Sequence, residues 1–157
     1  MKMRILLVCM GNICRSPMAE GVLREYLTRA GLARDVEVDS AGTVGYHAGE
    51  PPDQRAQKAA ARRGYDISRL RARRVREADF LRFDRILAMD RDNLSALEQY
   101  CPPEHRQRLG MFLDYAKGMR GQEVPDPYYG APEAFEYVLD LAENAAVGLV
   151  EALRARK

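Results

Sequence analysis

The fold of this chain is decided by the stretch RILLVCMGNICRSP, which occupies residues 4–17. Its apolar first half is far too short to span a bilayer, so it predicts a buried strand. Gly11 and Asn12 then predict a tight loop, because both residue types tolerate unusual backbone angles. Pro17 fits the first turn of a helix, where a missing N–H is tolerated. The stretch therefore predicts a strand, a tight loop and a helix in immediate succession.

The rest of the chain repeats this alternation of strand and helix patterns. Helices are predicted where apolar residues recur every three to four positions, and Gly31 and Gly64 fit positions just beyond two helix ends. Residues 68–76 show no clear pattern. The predicted strands are residues 2–8, 36–40, 85–89 and 108–113, and the predicted helices are residues 18–30, 54–63, 77–81, 93–100 and 132–156.

Alternating strands and helices indicate an α/β fold. Right-handed crossovers make the central sheet parallel and place helices on both of its faces, which gives a three-layer α/β/α architecture. In such sheets ligands bind at the carboxyl ends of the strands, beside a switch point. The loop after the first strand is therefore the first place to look for a functional site.

Length and composition favour one compact domain over residues 1–157. The sequence shows no internal repeat, low-complexity tract or interdomain linker. Because it contains no recognisable signal peptide or transmembrane segment, we expect a cytoplasmic protein whose thiols are kept reduced. Three cysteines, with no Cys-x-x-Cys pair and no histidine cluster, argue against a disulfide framework and against a metal site.

The charge balance gives little support for nucleic-acid or membrane partners. Lys and Arg total 25 against 23 Asp and Glu, which is a formal net charge of +2. The residues from Arg62 to Arg76 are locally basic, because seven arginines accompany only one acid, Asp66. We interpret this stretch as a solvated basic face that also steers anionic substrates, with a nucleic-acid patch as the alternative.

The segment from Cys9 to Ser16 has the form Cys-x5-Arg-Ser between a strand and a helix. Five intervening residues can wrap into a cup whose backbone N–H groups converge on one anion, and the helix N-terminus behind the cup adds positive potential. Such a cup suits a phosphate dianion. A Walker-type nucleotide loop is excluded, because its Gly-Lys-Ser/Thr is missing. The predicted phosphate-binding loop contains Met10, Gly11, Asn12, Ile13, Cys14 and Ser16.

The two ends of this motif supply a nucleophile and a phosphate clamp. Helix N-termini and nearby cations lower a cysteine pKa from about 8.5 to roughly 3.5–7.5, so we expect Cys9 to be a nucleophilic thiolate. Arg15 can pair bidentately with two phosphoryl oxygens, and Ser16 can donate a hydrogen bond toward the thiolate or the loop backbone. The alternative is that Cys9 is an inert buried cysteine and Arg15 only caps a turn.

A phosphatase that forms a cysteinyl phosphate also needs a proton for its leaving group. Asp126 is the best candidate, since it lies between two prolines in a long loop, residues 115–131, and beside Tyr128 and Tyr129. Its conjugate base would then activate water to hydrolyse the intermediate. The alternative interpretation is that Asp126 is an ordinary turn residue.

Taken together, these motifs resemble those of the low-molecular-weight protein tyrosine phosphatases. The resemblance covers nearly the whole chain and rests on CMGNICRSP at residues 9–17, DSA at 39–41, MD at 89–90 and DPYYG at 126–130. It implies four parallel strands in a flavodoxin-like doubly wound order, no metal or other cofactor, and the roles given above to Cys9, Arg15 and Asp126.

The resemblance also implies roles for residues around the loop. Asn12 and Ser40 would form a hydrogen-bonded support, and Cys14 could trap oxidised Cys9 as a reversible disulfide. The alternative is that Cys14 is a small buried side chain. The implied walls of the substrate cleft are Ile13, Tyr46, Tyr128 and Tyr129.

At two positions a comparison with relatives is informative. Relatives that resemble protein arginine phosphatases carry Thr where this chain has Ile13, so the apolar side chain favours phosphotyrosine over phosphoarginine. Many relatives carry His where this chain has Leu70, three residues before Arg73, and that His helps to brace the loop. Here the bracing must be absent or supplied otherwise.

The implied partners are phosphotyrosine proteins or small aryl phosphates as substrates, with inorganic phosphate as product and inhibitor, in a monomer or weak dimer. Three alternatives remain on the same fold. A protein arginine phosphatase is one. An arsenate reductase is another, although it needs a closely spaced downstream cysteine pair and only Cys101 is present. The third is an inactive module that merely holds phosphotyrosine or an oxyanion.

Overall fold

A computed structural model of the chain describes residues 2–156. The chain order alternates strands with helices and ends in the longest helix. The strands are β1 Met3–Cys9, β2 Val36–Gly42, β3 Arg85–Ala88 and β4 Leu109–Met111, and the α-helices are α1 Arg15–Arg29, α2 Gln54–Arg62, α3 Asp79–Arg82, α4 Arg91–Tyr100 and α5 Pro132–Ala155, with 3-10 helices at Pro103–Arg108 and Phe112–Tyr115.

The four strands form one parallel sheet in the order β2-β1-β3-β4. This order confirms the predicted α/β/α fold with its flavodoxin-like doubly wound topology.

The prediction of one domain over residues 1–157 includes Met1 and Lys157, which lie outside the described residues, and it stays a prediction. Among the helices of residues 2–156, none combines the length and the apolar character that crossing a bilayer requires.

The central strand β1 contributes side chains to both halves of the core. Successive side chains of a strand point to opposite faces, so Ile5 and Leu7 pack with α1, α2 and α5, whereas Leu6 and Val8 pack with α3 and α4. All four side chains are fully buried. A strand buried on both faces reads as a continuous apolar run, which explains the sequence of β1.

The register of the sheet brings the carboxyl ends of the strands together. Cys9, the last residue of β1, lies opposite Gly42, the last residue of β2, while Ala88 of β3 lies beside Val8. The loop that follows Cys9 therefore emerges at the centre of this edge, at the point where the chain order reverses between β2 and β3. This is the position expected for a ligand site in a doubly wound sheet.

Several element boundaries follow the local signals, and others differ from prediction. Asp53 caps α2 by accepting a hydrogen bond from the Arg55 backbone at 2.8 Å, and Gly64 takes the positive φ of 89° expected beyond the helix. Helix α1 begins at Arg15 rather than at residue 18, so the end of the loop is already helical. Strand β4 stops at Met111, because Phe112 opens a 3-10 helix.

Gly148 lets helix α5 pack directly on backbone, and we expect its replacement by alanine to destabilise the fold. A Cβ built at this position overlaps the carbonyl oxygen of Tyr115, which cannot rotate away as a side chain would. Overpacking of this kind costs about 1–3 kcal/mol, more than the roughly 1 kcal/mol that alanine gains over glycine in a helix. Urea unfolding of Gly148→Ala should therefore show a lower midpoint than the wild type.

The matched control is Glu151→Ala, an exposed position in the same helix. It should change the free energy of unfolding by no more than about 0.5 kcal/mol. An unchanged or higher midpoint for Gly148→Ala would show that α5 does not approach Tyr115 this closely.

Candidate active site

The loop between β1 and α1 curls back over the sulfur of Cys9. Asn12 adopts the left-handed backbone conformation, with φ at 60°, and its N–H points at Cys9 Sγ from 3.3 Å. The adjoining end of β2 packs against the loop, since a Cβ on Gly42 would come within 2.6 Å of the Met10 carbonyl oxygen. The loop therefore curls as the sequence predicts, but only Asn12 takes the unusual backbone angle expected of both residues, since Gly11 does not have a positive φ.

A chain of hydrogen bonds supports the sulfur from behind. The side-chain amide of Asn12 donates to Ser16 Oγ at 2.8 Å and to Ser40 Oγ at 3.0 Å. Because Ser16 Oγ already accepts from Asn12, its own proton remains available for Cys9 Sγ, 3.0 Å away. This arrangement brings together the residues that the sequence assigned to loop support.

A buried carboxylate continues this chain, and sequence reasoning missed it. Glu20 accepts a hydrogen bond from Ser40 Oγ at 2.7 Å and is held by the Arg24 guanidinium at 2.7 Å. Burial raises the pKa of Glu20, whereas Ser40 and Arg24 oppose that effect. A Glu four residues before an Arg on one helix was the only sequence signal, and it is common on solvated faces.

The bracing that Leu70 cannot provide comes from the neighbouring backbone. Leu70 lies half-buried against the larger part of the core. The N–H of Arg73 instead donates to Asn12 Oδ1 at 3.0 Å, and the Arg73 guanidinium is fixed by Asp79 at 2.9 Å and Asp39 at 3.1 Å. The side-chain oxygen of Asn12 is thereby satisfied without a histidine.

Arg15 is almost fully enclosed, with 3% of its surface exposed. Its Nη1 donates to Asp90 Oδ2 at 2.6 Å and to the carbonyl oxygen of Val124 at 3.0 Å. Asp90 is itself fixed as the N-cap of α4, where its other oxygen accepts from the Asn93 backbone at 2.8 Å. The guanidinium is therefore held rigidly, which suits a fixed two-point contact with a phosphoryl group.

Asp126 lies in the loop before α5, close to Arg15. Its side chain is about half exposed, and its Oδ2 is 3.9 Å from Nη2 of Arg15. The Tyr128 N–H donates to Oδ1 at 3.1 Å. The loop is anchored just before Asp126 by the buried Val124, whose N–H donates to the Met89 carbonyl at 2.8 Å.

These side chains converge on one cavity of about 340 Å³. Cys9 is part of its lining, and the rings of Tyr128 and Tyr129, which also line it, pack edge to face with centroids 5.0 Å apart. Asn12, Ser16 and Ser40 lie behind the loop and do not line the cavity. The lining residues are Cys9, Met10, Gly11, Ile13, Cys14, Arg15, Val44, Tyr46, His47, Asp126, Tyr128 and Tyr129.

Val44 and His47 were not predicted as cleft residues. Both belong to the glycine-rich segment after β2, which carries no motif from which their orientation could be read. A Cβ at Gly11 would come within 3.2 Å of the His47 ring, so a larger residue there would require the ring to shift by a few tenths of an ångström.

Cys9 and Cys14 are both free thiols in the structure, and Cys101 is free as well. Burial and the nearby Asp53 carboxylate raise the pKa of Cys14 well above its ordinary value. A disulfide between Cys9 and Cys14 therefore stays a prediction. Cys101 packs in the core on the side of α4, away from the cavity. Among residues 2–156, no three metal-ligating side chains come together.

The chain is similar to known phosphatases along nearly its whole length. The family model of the low molecular weight phosphotyrosine protein phosphatase matches residues 4–157. A low molecular weight protein-tyrosine-phosphatase of Streptomyces coelicolor is 43% identical and covers 98% of this chain and 95% of its own length. The human low molecular weight phosphotyrosine protein phosphatase is 40% identical, with 85% of each chain covered.

Solved structures show the same likeness. A crystal structure of a protein tyrosine phosphatase from Entamoeba histolytica, with Hepes in its active site, superposes with a TM-score of 0.94. The two chains are 40% identical and the match covers 98% of each.

Proposed function

Because this chain belongs to the low molecular weight phosphotyrosine protein phosphatase family, we propose that it hydrolyses phosphotyrosine by way of a phosphate carried on Cys9. The family establishes a hydrolase that acts on phosphotyrosine. The roles of individual residues are the proposal. The observation that supports them most is that Cys9, a lining residue of the cavity, has its Sγ 3.3 Å from the Asn12 backbone nitrogen and 3.0 Å from Ser16 Oγ.

In the first step the phosphate dianion occupies the cup and pairs with Arg15. Cys9 Sγ attacks phosphorus in line with the leaving phenol oxygen, so that a sulfur–phosphorus bond forms as the oxygen–phosphorus bond breaks. Asp126, protonated at this stage, gives its proton to the phenol oxygen. Proton transfer matters because the phenol has a pKa of about 10 and is a poor leaving group as its anion.

In the second step water replaces the phenol. Asp126, now a carboxylate, takes a proton from water while the water oxygen attacks phosphorus and the sulfur–phosphorus bond breaks. The electron pair returns to Cys9 Sγ, where Ser16 Oγ and the Asn12 N–H stabilise the negative charge. Inorganic phosphate leaves, and by fitting the same cup it also inhibits.

Replacing Asp126 by asparagine should slow the reaction most for poor leaving groups. The amide cannot supply a proton, so phenyl phosphate should lose about 10²–10⁴-fold in kcat/KM, the range typical of general acid catalysis. An activated aryl phosphate such as p-nitrophenyl phosphate should lose much less. The measurement is a series of substituted phenyl phosphates, and an equal loss along the whole series would remove Asp126 from the role of general acid.

Peptides that differ only in the phosphorylated residue test the proposed specificity. The apolar Ile13 and the rings of Tyr128 and Tyr129 favour a flat aromatic ring over the short chain of phosphoserine or the polar guanidine of phosphoarginine. We expect turnover of the phosphotyrosine peptide alone. Comparable turnover of phosphoarginine would favour the arginine phosphatase alternative, and tight binding without turnover of any peptide would favour a binding module.

The finer properties of the enzyme are also proposals. We infer that small aryl phosphates are substrates besides phosphotyrosine proteins, that the protein is a monomer or weak dimer, and that residues 1–157 act as one phosphatase domain. A cytoplasmic location fits a mechanism that depends on a reduced cysteine.

A further inference from the structure

A second cavity lies directly beside the active-site cavity, at the same edge of the sheet. It has a volume of about 280 Å³ and opens between the segment after β2 and helices α3 and α4. Only the short segment from Thr43 to Tyr46 separates the two, since Thr43 lines the second cavity while Val44 and Tyr46 line the first. The two cavities are therefore neighbours across one short stretch of backbone.

The segment from Thr43 to Tyr46, which lies between the two cavities, is hydrogen-bonded to the catalytic loop. The N–H of Thr43 donates to the Cys9 carbonyl at 3.0 Å, and the N–H of Val44 donates to the Met10 carbonyl at 3.1 Å. The aliphatic part of the Arg74 side chain packs on Gly45, the residue after Val44. A Cβ built on Gly45 would lie 3.7 Å from Cβ and Cδ of Arg74. Arg74 therefore lies between the two cavities, and its guanidinium can reach a ligand in the second cavity.

The second cavity combines an apolar floor with a cationic rim. Phe80 and Leu97, both buried, form part of its lining, and Tyr100 stands beside them with 65% of its surface exposed. Arg74 and Arg76 supply the charge, and within residues 2–156 neither guanidinium has an ion-pair partner. An apolar floor beside two cationic groups suits a ligand that carries one apolar side chain and one carboxylate.

A substrate protein is the occupant that this geometry favours. The first cavity is large enough for a phenyl phosphate, but a phosphotyrosine in a protein continues as chain on both sides. The only acid in the lining of the second cavity, Glu77, partly offsets the two arginines, which favours a single acidic residue over an acidic run.

We propose that this second cavity binds the chain flanking the phosphotyrosine and selects substrates with one acidic residue beside a large apolar residue in that flanking chain. This inference rests on the proposed function. It also gives a role to part of the basic stretch between Arg62 and Arg76, whose other members lie outside this cavity.

Four phosphotyrosine peptides test the selection. They carry Asp or Lys together with Leu or Ala at the flanking positions, and each is made in two versions, with the pair before or after the phosphotyrosine. For the wild type we expect the Asp-Leu peptide to exceed the Lys-Ala peptide by about tenfold in kcat/KM in one of the versions, mainly through a lower KM. Rates on p-nitrophenyl phosphate, which is too small to reach the second cavity, serve as the reference for every variant.

Charge-reversal variants then show which residues are responsible for the peptide preference. The double variant Arg74→Glu, Arg76→Glu should lose or invert the preference for Asp over Lys, and Tyr100→Ala should reduce the preference for Leu over Ala. The matched control is Arg34→Glu, which makes the same kind of charge change before β2, at the opposite end of the sheet. It should leave the peptide preferences within twofold of the wild type.

The outcomes separate this proposal from the proposed function. Hydrolysis of p-nitrophenyl phosphate with equal rates on all peptides would overturn the docking site and leave the phosphatase intact, whereas no hydrolysis of any substrate would overturn the phosphatase. An equal loss of preference in Arg34→Glu would indicate steering by net charge and overturn the site. If the double variant changes the oligomeric state and no preference exists, the cavity is a contact between copies. If the double variant misfolds, the peptide preference of the wild type is measured at high salt instead. A preference for Asp that persists at high salt would show that Arg74 and Arg76 do not select the acidic residue.

Discussion

Replacing Cys9 by serine is expected to abolish turnover while phosphate binding survives. A serine hydroxyl is not ionised at neutral pH, and the described residues within hydrogen-bond distance of Cys9 Sγ, Asn12 and Ser16, are not bases. The rate on p-nitrophenyl phosphate should therefore fall by at least about four orders of magnitude. The cup and Arg15 remain, so calorimetric titration with inorganic phosphate should still detect binding.

The control for this variant is Cys101→Ser. Cys101 is also buried, and its Sγ lies 3.4 Å from the Pro102 carbonyl oxygen, a contact that a serine hydroxyl can keep. Because Cys101 lies outside the cavity, this variant should retain the wild-type rate. Activity of Cys9→Ser within tenfold of the wild type would show that another group is the nucleophile.

Replacing Arg15 by lysine should cost about 10²–10³-fold in kcat/KM, although the charge is kept. The guanidinium contacts Asp90 and the Val124 carbonyl with Nη1, which leaves the remaining N–H donors for the phosphoryl oxygens. An ammonium is a point charge and cannot hold both protein partners and two phosphoryl oxygens in one plane. A loss of this size equals that of one strong transition-state donor.

Arg29→Lys in the exposed last turn of α1 provides the comparison for Arg15→Lys. It should leave steady-state kinetics on p-nitrophenyl phosphate unchanged within twofold. If Arg15→Lys also stays within twofold, the bidentate clamp is not part of the mechanism and a single positive charge suffices.

The parts of this protein that could be predicted from the sequence are those specified by neighbouring residues. The strand, cup and helix around Cys9 follow from an apolar run, a glycine with an asparagine, and a proline within one short stretch. Asp126 was predicted the same way, because the two flanking prolines mark a constrained loop, and its role as general acid stays a prediction. The sheet order was implied by resemblance to a family, since local patterns indicate strands but not their neighbours.

The parts that could not be predicted depend on distant partners. Arg15 and Asp90 are 75 positions apart, and Asn12 and the backbone of Arg73 are 61 apart. A charged residue such as Glu20 gives the same local pattern whether it lies in solvent or under an active-site loop. Only the packing of α1 on β2 shows that its carboxylate supports Ser40.

The most direct test of the mechanism is to trap the phosphorylated enzyme. Asp126→Ala should slow hydrolysis of the intermediate, so acid quenching during turnover of p-nitrophenyl phosphate, followed by peptide mass spectrometry, can locate the phosphoryl group. The mechanism predicts one phosphoryl group on the peptide that contains Cys9, and none when Cys9→Ser is added. A phosphoryl group on any other side chain, or burst kinetics with no phosphorylated peptide, would contradict it.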